Sequence, residues 1–473
     1  MKYTVALGVL AASAFADKLD VNPTLLQADI VREHLWAGAG KLQSFADATK
    51  EKNRMVAGPA EEATIQWLKD SLEALDYYDV SLQTFPLTVQ FSGSINAFAI
   101  NATAVPKTSY SLFQFSPSGN ATAPLMFVDG GCNKTDYPAN LAGKIAIIPR
   151  GTCEFGLKST FAGSAEGPYV PTLNVIQGVA APVVSALKRG ESVTASLDIV
   201  TDIRKTTPSN LLATTKSGDQ SNKLMLGAHT DSVAAGPGIN DNGSGITALL
   251  EVAKALPKYE IKNAVTFAFW TAEEEGLLGS KHFVNNLPAA EAANIRGYLN
   301  FDMIASPNYV NSIYDGSGKA FGVKGPAGSA QFQQFSQDYF KGAGKNSTAT
   351  ELSGRSDHMA FLVANIPVGG TFTGAEQNKT VEEVALFGGQ AGQPYDHCYH
   401  QACDTLSNLN MDAFELHAKG IAAAVATYAT SWEGFPARNT TQSVKRSEFE
   451  AWNSKRDAHV HEGVGCSHDR VTM

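Results

Sequence analysis

The sequence predicts an α/β fold: a mixed, mainly parallel central sheet flanked by helices, with a smaller β-rich module inserted into it. Three observations carry that prediction. Two apolar runs, residues 223–228 and 264–270, have the length and the β-branched or aromatic content of buried strands. Between them Ile246, Leu249, Leu250, Ala253 and Leu256 recur at helical spacing. Strand, helix, strand reads as a parallel crossover unit. Polar residues gather where the strands run out. His229 and Asp231 follow the first strand, Glu273, Glu274 and Glu275 the second, and Asp302 a third apolar segment, residues 297–301. Open α/β sheets place their sites at the carboxyl ends of strands. Three strands that each bring His, Asp or Glu to one edge suggest a metal site.

Residues 1–16 read as a signal peptide. Lys2 gives a positive start, residues 3–12 a short apolar core, and Ala14-Phe15-Ala16 an A-x-A cleavage site. That core is too short to span a bilayer, and no later run approaches the roughly 18 apolar residues that would. The expectation is a secreted protein that starts near Asp17 and has no membrane partner. Residues 17–91 open the main domain. Stretches 30–45 and 61–75 are amphipathic, with Ile65, Leu68, Leu72 and Leu75 on one helical face. Gly58-Pro59 marks a turn, and residues 80–91 alternate like one strand.

From 92 to 204 the texture changes. Helical periodicity weakens, and β-like runs appear at 125–128, 144–149 and 193–199. This stretch reads as a separate module. Residues 205–435 return to alternating strands and helices, the main domain proper. Residues 436–473 carry weak patterning, two dibasic pairs, His459, His461, His468 and Cys466. They read as a solvated or processed tail, since their His and Cys lack zinc-finger spacing.

Composition narrows the function classes. The chain has 473 residues, 44% of them hydrophobic and 18% charged, enough for a sizeable core in two or three domains. A net charge of −9 argues against nucleic acid as a partner. Four of the five cysteines fall into local pairs, Cys132 with Cys153 and Cys398 with Cys403, which fits an oxidising compartment. N-x-S/T sequons stand at Asn101, Asn120, Asn133, Asn346, Asn378 and Asn439, candidate glycosylation sites. A seventh, Asn242, lies inside the proposed site and is expected to stay bare.

The chemistry rests on five short stretches. In His229-Thr230-Asp231 a neutral imidazole can bind zinc while the nearby carboxylate fixes its tautomer. A lone histidine of this kind is more often an ordinary core residue. Residues 238–245, GINDNGSG, let the backbone turn tightly around Asp241, whose carboxylate could bridge two cations; the bland reading is a helix cap. Glu273 and Glu274 are adjacent and so point in different directions. One can bind a metal while the other serves as a base, and the run sits between Trp270 and Leu277-Leu278 rather than on a polar face. Asp302 ends its apolar strand. His400 stands between Cys398 and Cys403, which either form a disulfide or bind metal with it; a secreted context favours the disulfide. Mixed His and carboxylate ligands suit zinc, and a shared Asp suits a pair of Zn2+ ions. The reaction class is hydrolysis, most simply of an amide.

The strings GAHTDSV, GINDNGSG, FWTAEEEGLLGS, NFDMIASPN, GRSDHMAF, GGTFTGAE and CYHQACDT run in order over residues 226–405. In them the chain resembles the secreted di-zinc aminopeptidases of bacteria and fungi, the leucine aminopeptidase and aminopeptidase Y type. The resemblance implies a zinc-exopeptidase fold and a role for each residue. Asp241 would bridge two zinc ions, His229 and Asp302 completing one and Glu274 and His400 the other. Glu273 would be the general base that takes a proton from the bridging water and passes it to the leaving amine. Tyr399 would steady the oxyanion, and Asp231 would orient His229. The Asp241–Asn242 bond would be cis. Arg355 would help Glu273 and Asp302 fix the substrate's amino group, and Met303 and Phe372 would line an apolar pocket. The implied partners are peptides with a free, apolar N-terminal residue such as leucine, acted on by a monomer.

Two pieces of the inserted module resemble the protease-associated domain: GGCNKTDYPANLAGKIAIIPRGTCEFGLK and VPTLNVIQGVAAPVVSAL. That implies a lid module with no catalytic residue. Past Lys158 the resemblance implies a helix, a strand and a loop. FAGSAEGPY runs straight into VPTL instead, so the module reads as abbreviated.

Within the same fold, a carboxypeptidase or dipeptidase would need cationic groups for a free carboxylate. A single-zinc glutaminyl cyclase would keep fewer ligands. A metal-free binding protein on this fold would lack at least one ligand, and none is missing.

Overall fold

A computed structural model describes residues 18–151, 153, 158 and 170–438. The expected signal segment, the tail beyond 438 with Asn439, and the FAGSAEGPY junction lie outside the described residues. The described residues form two compact units, 18–85 with 208–438, and those within 86–207. The boundary falls inside what the alternation suggested was one strand. Residues 78–100 are instead two strands, Tyr78–Thr84 and Leu87–Ile100, in different sheets. Pro86 stands between them. It has no N–H to give to a ladder, so a strand ends there readily.

The first unit is built on eight strands. They are β1 (Tyr78–Thr84), β2 (Ser209–Thr215), β3 (Asp219–His229), β4 (Asn263–Trp270), β5 (Ile295–Phe301), β6 (Ser312–Tyr314), β7 (Thr348–Thr350) and β8 (Val368–Phe372). Their order across the sheet is β7-β6-β8-β5-β3-β4-β2-β1. The four central strands β4, β3, β5 and β8 are parallel neighbours, while β2, β1 and the β6–β8 pair are antiparallel. The sheet is therefore mixed with a parallel centre.

Side-chain parity explains why the centre is buried twice over. On β3, Leu224, Leu226 and Ala228 enter one core and Met225 the other; on β4, Val265, Phe267 and Phe269 oppose Ala268 and Trp270. The first core is covered by α1 (Arg32–Asp47), α2 (Pro59–Glu73), α3 (Gly243–Ala255) and α6 (Met411–Thr430). The second is covered by Phe283 of the short helix Leu278–Asn286 and by Phe361 of α5 (His358–Val363). Helix α4 (Ser329–Gly342) adds Phe332 to the first. Among the described residues no helix is long and apolar enough to cross a membrane.

The second unit has a five-stranded sheet. Leu87–Ile100 pairs with Thr194–Thr206, which pairs with Gly119–Phe127, and that with Ile145–Ile147. Its small core holds Phe98, Ala195, Leu197 and Ile199. A disulfide joins Cys132 to Cys153.

Candidate active site

The three parallel strands β4, β3 and β5 end side by side, and each hands polar residues to the same edge. His229 is the last residue of β3 and lies in register with Trp270, the last of β4. Asp302 follows the last residue of β5. Asp241 comes from the loop that leads into α3. Gly238 in that loop has φ +62, and a Cβ there would stand 2.1 Å from Asp241 O, so only glycine fits. The Asp241–Asn242 peptide is cis. Asn242 is buried; its side chain accepts from Gly245 N at 3.0 Å and donates to Phe301 O at 2.9 Å.

Two triads result. His229, Glu273 and Asp302 bring donor atoms within 4.8 Å of one another, as do Asp241, Glu274 and His400. Asp241 joins them. Its Oδ1 lies 3.1 Å from His229 Nε2 and its Oδ2 lies 3.2 Å from His400 Nε2. Asp302 Oδ1 is 3.3 Å from His229 Nε2, and Glu274 Oε2 is 3.1 Å from His400 Nε2. His400 is held in a short loop closed by the Cys398–Cys403 disulfide, which removes these sulfurs as metal ligands.

Neighbours fix each group. His229 Nδ1 faces the main-chain O of Asp231 at 3.1 Å, while the Asp231 carboxylate stands at 3.7 Å. That carboxylate accepts instead from Glu273 N at 3.0 Å and Glu274 N at 3.1 Å. Asp231 thus orients His229 through its backbone and the glutamate pair through its side chain. Asp302 is held by a buried relay. Trp270 Nε1 donates to Tyr298 OH, which donates to Asn300 Oδ1, at 2.8 and 2.9 Å. Asn300 Nδ2 donates to Ser356 Oγ at 2.8 Å, and Ser356 Oγ donates to Asp302 Oδ2 at 2.6 Å.

The electrostatics decide whether cations fit. Asp231, Asp241, Glu273 and Asp302 are all under 10% exposed and share one small space with Glu274. Burial opposes charge on His229, yet Asp302 and Glu273 outweigh it and hold the imidazole well above its ordinary value. Burial likewise opposes charge on His400, and Glu274 and Asp241 push it up to about 11. Burial raises Glu273 well above the usual carboxylate range, with Asp302, Glu274 and Asp357 adding to it and His229 opposing. A buried cluster this negative needs positive charge at its centre. Oε1 of Glu274 is buried with no hydrogen-bond partner, a further acceptor. The donor set, imidazole and carboxylate, is one that zinc takes.

Around this centre lie residues that the sequence analysis left out. Glu376 pairs with Arg355 through two bonds, Nη1 to Oε1 at 2.7 Å and Nη2 to Oε2 at 3.0 Å. Arg355 Nη2 also donates to Tyr399 OH at 3.1 Å, and the Tyr399 ring stacks on His400 at 3.8 Å between centroids. Asp357 is 1% exposed, and burial pushes its carboxyl up to about 7. Arg54, fully buried, donates to the carbonyls of Thr230, Pro237 and Gly238. Ser356, Asp357, Glu376 and Asp404 stand inside the family-like strings and could have been found there; Arg54 stands in none. Of the pocket candidates, Met303 is 3% exposed, whereas Phe372 at the end of β8 is partly exposed.

Fold and donor set together define an α/β protein whose parallel strand ends present His and carboxylate groups that could hold metal. A family profile for peptidase family M28 matches residues 210–425, and one for the PA domain matches 121–167. A probable leucine aminopeptidase 2 of Aspergillus fumigatus is 46% identical over 95% of this chain and 94% of its own. The chain belongs to peptidase family M28; it is a zinc-dependent aminopeptidase. The leucine aminopeptidase 2 of Trichophyton rubrum is 40% identical over 99% of this chain and 97% of its own. Among solved structures, an aminopeptidase from Aneurinibacillus sp. strain AM-1 shares the fold with a TM-score of 0.67 at 21% identity, over 89% of this chain and 98% of its own.

Proposed function

We propose that this enzyme is secreted and removes apolar N-terminal residues, leucine foremost, from peptides, using two zinc ions. The single observation that carries the two-ion reading is Asp241, whose oxygens face different histidines 3.1 and 3.2 Å away. His229 and Asp302 would hold one ion, Glu274 and His400 the other, and Asp241 would serve both. Bound there, zinc supplies Lewis-acid polarisation of the scissile carbonyl and a water acidic enough to attack near neutral pH.

The chain's own residues do the rest. Glu273 is the general base: it takes the proton of the attacking water and returns it to the leaving amine. Burial and its carboxylate neighbours raise its proton affinity, which offsets the opposite pull of nearby cations. Tyr399 accepts from Arg355, so its own hydroxyl proton is left to point elsewhere; we assign it to the oxyanion. Arg355 cannot hold an ammonium group directly, being itself a cation. In this reading it acts on Tyr399, and the carboxylates of Glu273 and Asp302 hold the substrate's amino group. Phe372 is the better pocket candidate, because a substrate side chain reaches what solvent reaches.

The Arg355–Glu376 pair also favours an aminopeptidase over a carboxypeptidase. The guanidinium at this rim is already taken by a carboxylate of the protein. The test is hydrolysis of leucine-p-nitroanilide by the purified protein, with chelator and with zinc restored. Expected is chelator-sensitive release that zinc restores, with the N-acetylated substrate untouched. Equal cleavage of the acetylated substrate would sink the N-terminal reading.

A further inference from the structure

Asp241 and His400 come from parts of the chain that meet only in the fold, and one residue ties the two parts together. Asp404 follows Cys403 directly, in the segment whose loop the Cys398–Cys403 disulfide closes around His400. It is 1% exposed. It takes three consecutive main-chain N–H groups of the Asp241 loop. Ile239 N donates to its main-chain O at 3.0 Å, Asn240 N to Oδ1 at 2.8 Å, and Asp241 N to Oδ2 at 3.0 Å. Asp404 and Asp241 are 163 residues apart in sequence.

The carboxylate is itself anchored from its own side. Asn408 Nδ2 donates to Asp404 Oδ1 at 3.1 Å and to both oxygens of Asp396, at 2.9 and 3.0 Å. Asp396 in turn accepts from Asn240 Nδ2 at 2.7 Å. Segment 396–408 therefore grips residues 239–241 through main chain and side chain together. His400 rides on the gripping segment, and Asp241 on the gripped one. Metal ligands must stand within about 0.2 Å of their proper distances, so slack between these segments is slack between ligands.

We propose that Asp404 is a positioning residue that keeps Asp241 in register with His400, and so sets the affinity of both zinc ions at once. The inference rests on the two-ion reading above. Asp302 and Glu274 differ from it in kind, because each serves one ion. D404N keeps the shape of the side chain but turns one acceptor oxygen into an amide that faces an N–H donor.

The experiment is stepwise zinc binding to the purified full chain, by competition with a chromophoric chelator. In D404N both steps weaken, by about 10–100-fold, as changes to groups behind metal ligands do. D302N and E274Q each weaken one step more than the other. H417A, which removes buried hydrogen bonds to Thr371 and Asn311, neither of them a proposed ligand, lowers the unfolding midpoint of the metal-free protein but leaves both zinc steps in place. Wild type that takes up two zincs, both lost in D241N, upholds the two-ion reading whatever D404N does. D404N binding both as tightly as wild type then overturns this inference alone. So does weakening of one step only, or an equal zinc loss in H417A. Wild type binding a single zinc overturns both. Should D404N fail to fold, N408A leaves the carboxylate in place without its anchor. It must weaken both steps, by less, and unchanged steps overturn the proposal.

Discussion

The two adjacent glutamates offer the sharpest test of the site, because glutamine at either position removes one charge from the same buried space with opposite expected results. Glu274 sits with Asp241 and His400, Glu273 with His229 and Asp302. E274Q should lose zinc; E273Q should keep both zincs and lose turnover. A general base contributes about 10²–10⁴ in rate, roughly 3–5 kcal/mol at 1.36 kcal/mol per decade. The structure points to the upper half of that range, since neighbouring carboxylates are already committed. Both Asp231 oxygens accept N–H bonds, and Asp302 Oδ2 accepts from Ser356. Stability should move the other way. The folded proton affinity of Glu273 is raised, so below the unfolded value the group favours the folded state, and that support is lost as pH rises. At pH 7.5, metal-free E273Q should therefore unfold no earlier than metal-free wild type. The assay is kcat and KM on leucine-p-nitroanilide beside metal content per chain. An E273Q enzyme that loses a zinc, or keeps a tenth of its turnover, would refute the assignment of base and ligand.

Three further outcomes follow from particular contacts. Y399F should lower kcat by about 10²–10³, as loss of one oxyanion donor does. E376Q should lower it less, and nearly nothing in the Y399F background, because Glu376 acts through Arg355 on that hydroxyl; additive losses would refute the path. His417 is buried between Thr371 Oγ1 and Asn311 Oδ1, and burial holds it down to about 3. Its depressed value means stability is present above about pH 6.5 and is lost as pH falls. Wild type should lose about 2 kcal/mol more than H417Q between pH 6.5 and 5.0 by denaturant unfolding, and parallel curves would contradict this. Peptide mapping of secreted protein should find Asn242 bare, with glycans confined to exposed sequons such as Asn101, Asn120, Asn133, Asn346 and Asn378; a glycan on Asn242 would be incompatible with its burial.

What the sequence determined by itself were the local features and the residue types. Apolar runs with a helix between them fixed the parallel centre, because a strand buried on both faces must be apolar throughout. His229, Asp302 and the glutamate pair were legible because chemistry at a strand end interrupts such a run. The strand at 80–91 was misread as one piece, since alternation does not register where a proline hands the chain to another sheet. Only the tertiary structure decided which groups meet. It divided Asp241 between two histidines, gave Glu273 and Glu274 different neighbours, and turned the Asp231 carboxylate from His229 to the glutamate N–H groups. It committed Arg355 to Glu376 and brought Asp404 onto the Asp241 loop. The physical reason is range. Periodicity and turn chemistry act over a few residues, whereas a hydrogen bond spanning 163 residues leaves no trace in the spacing of either end.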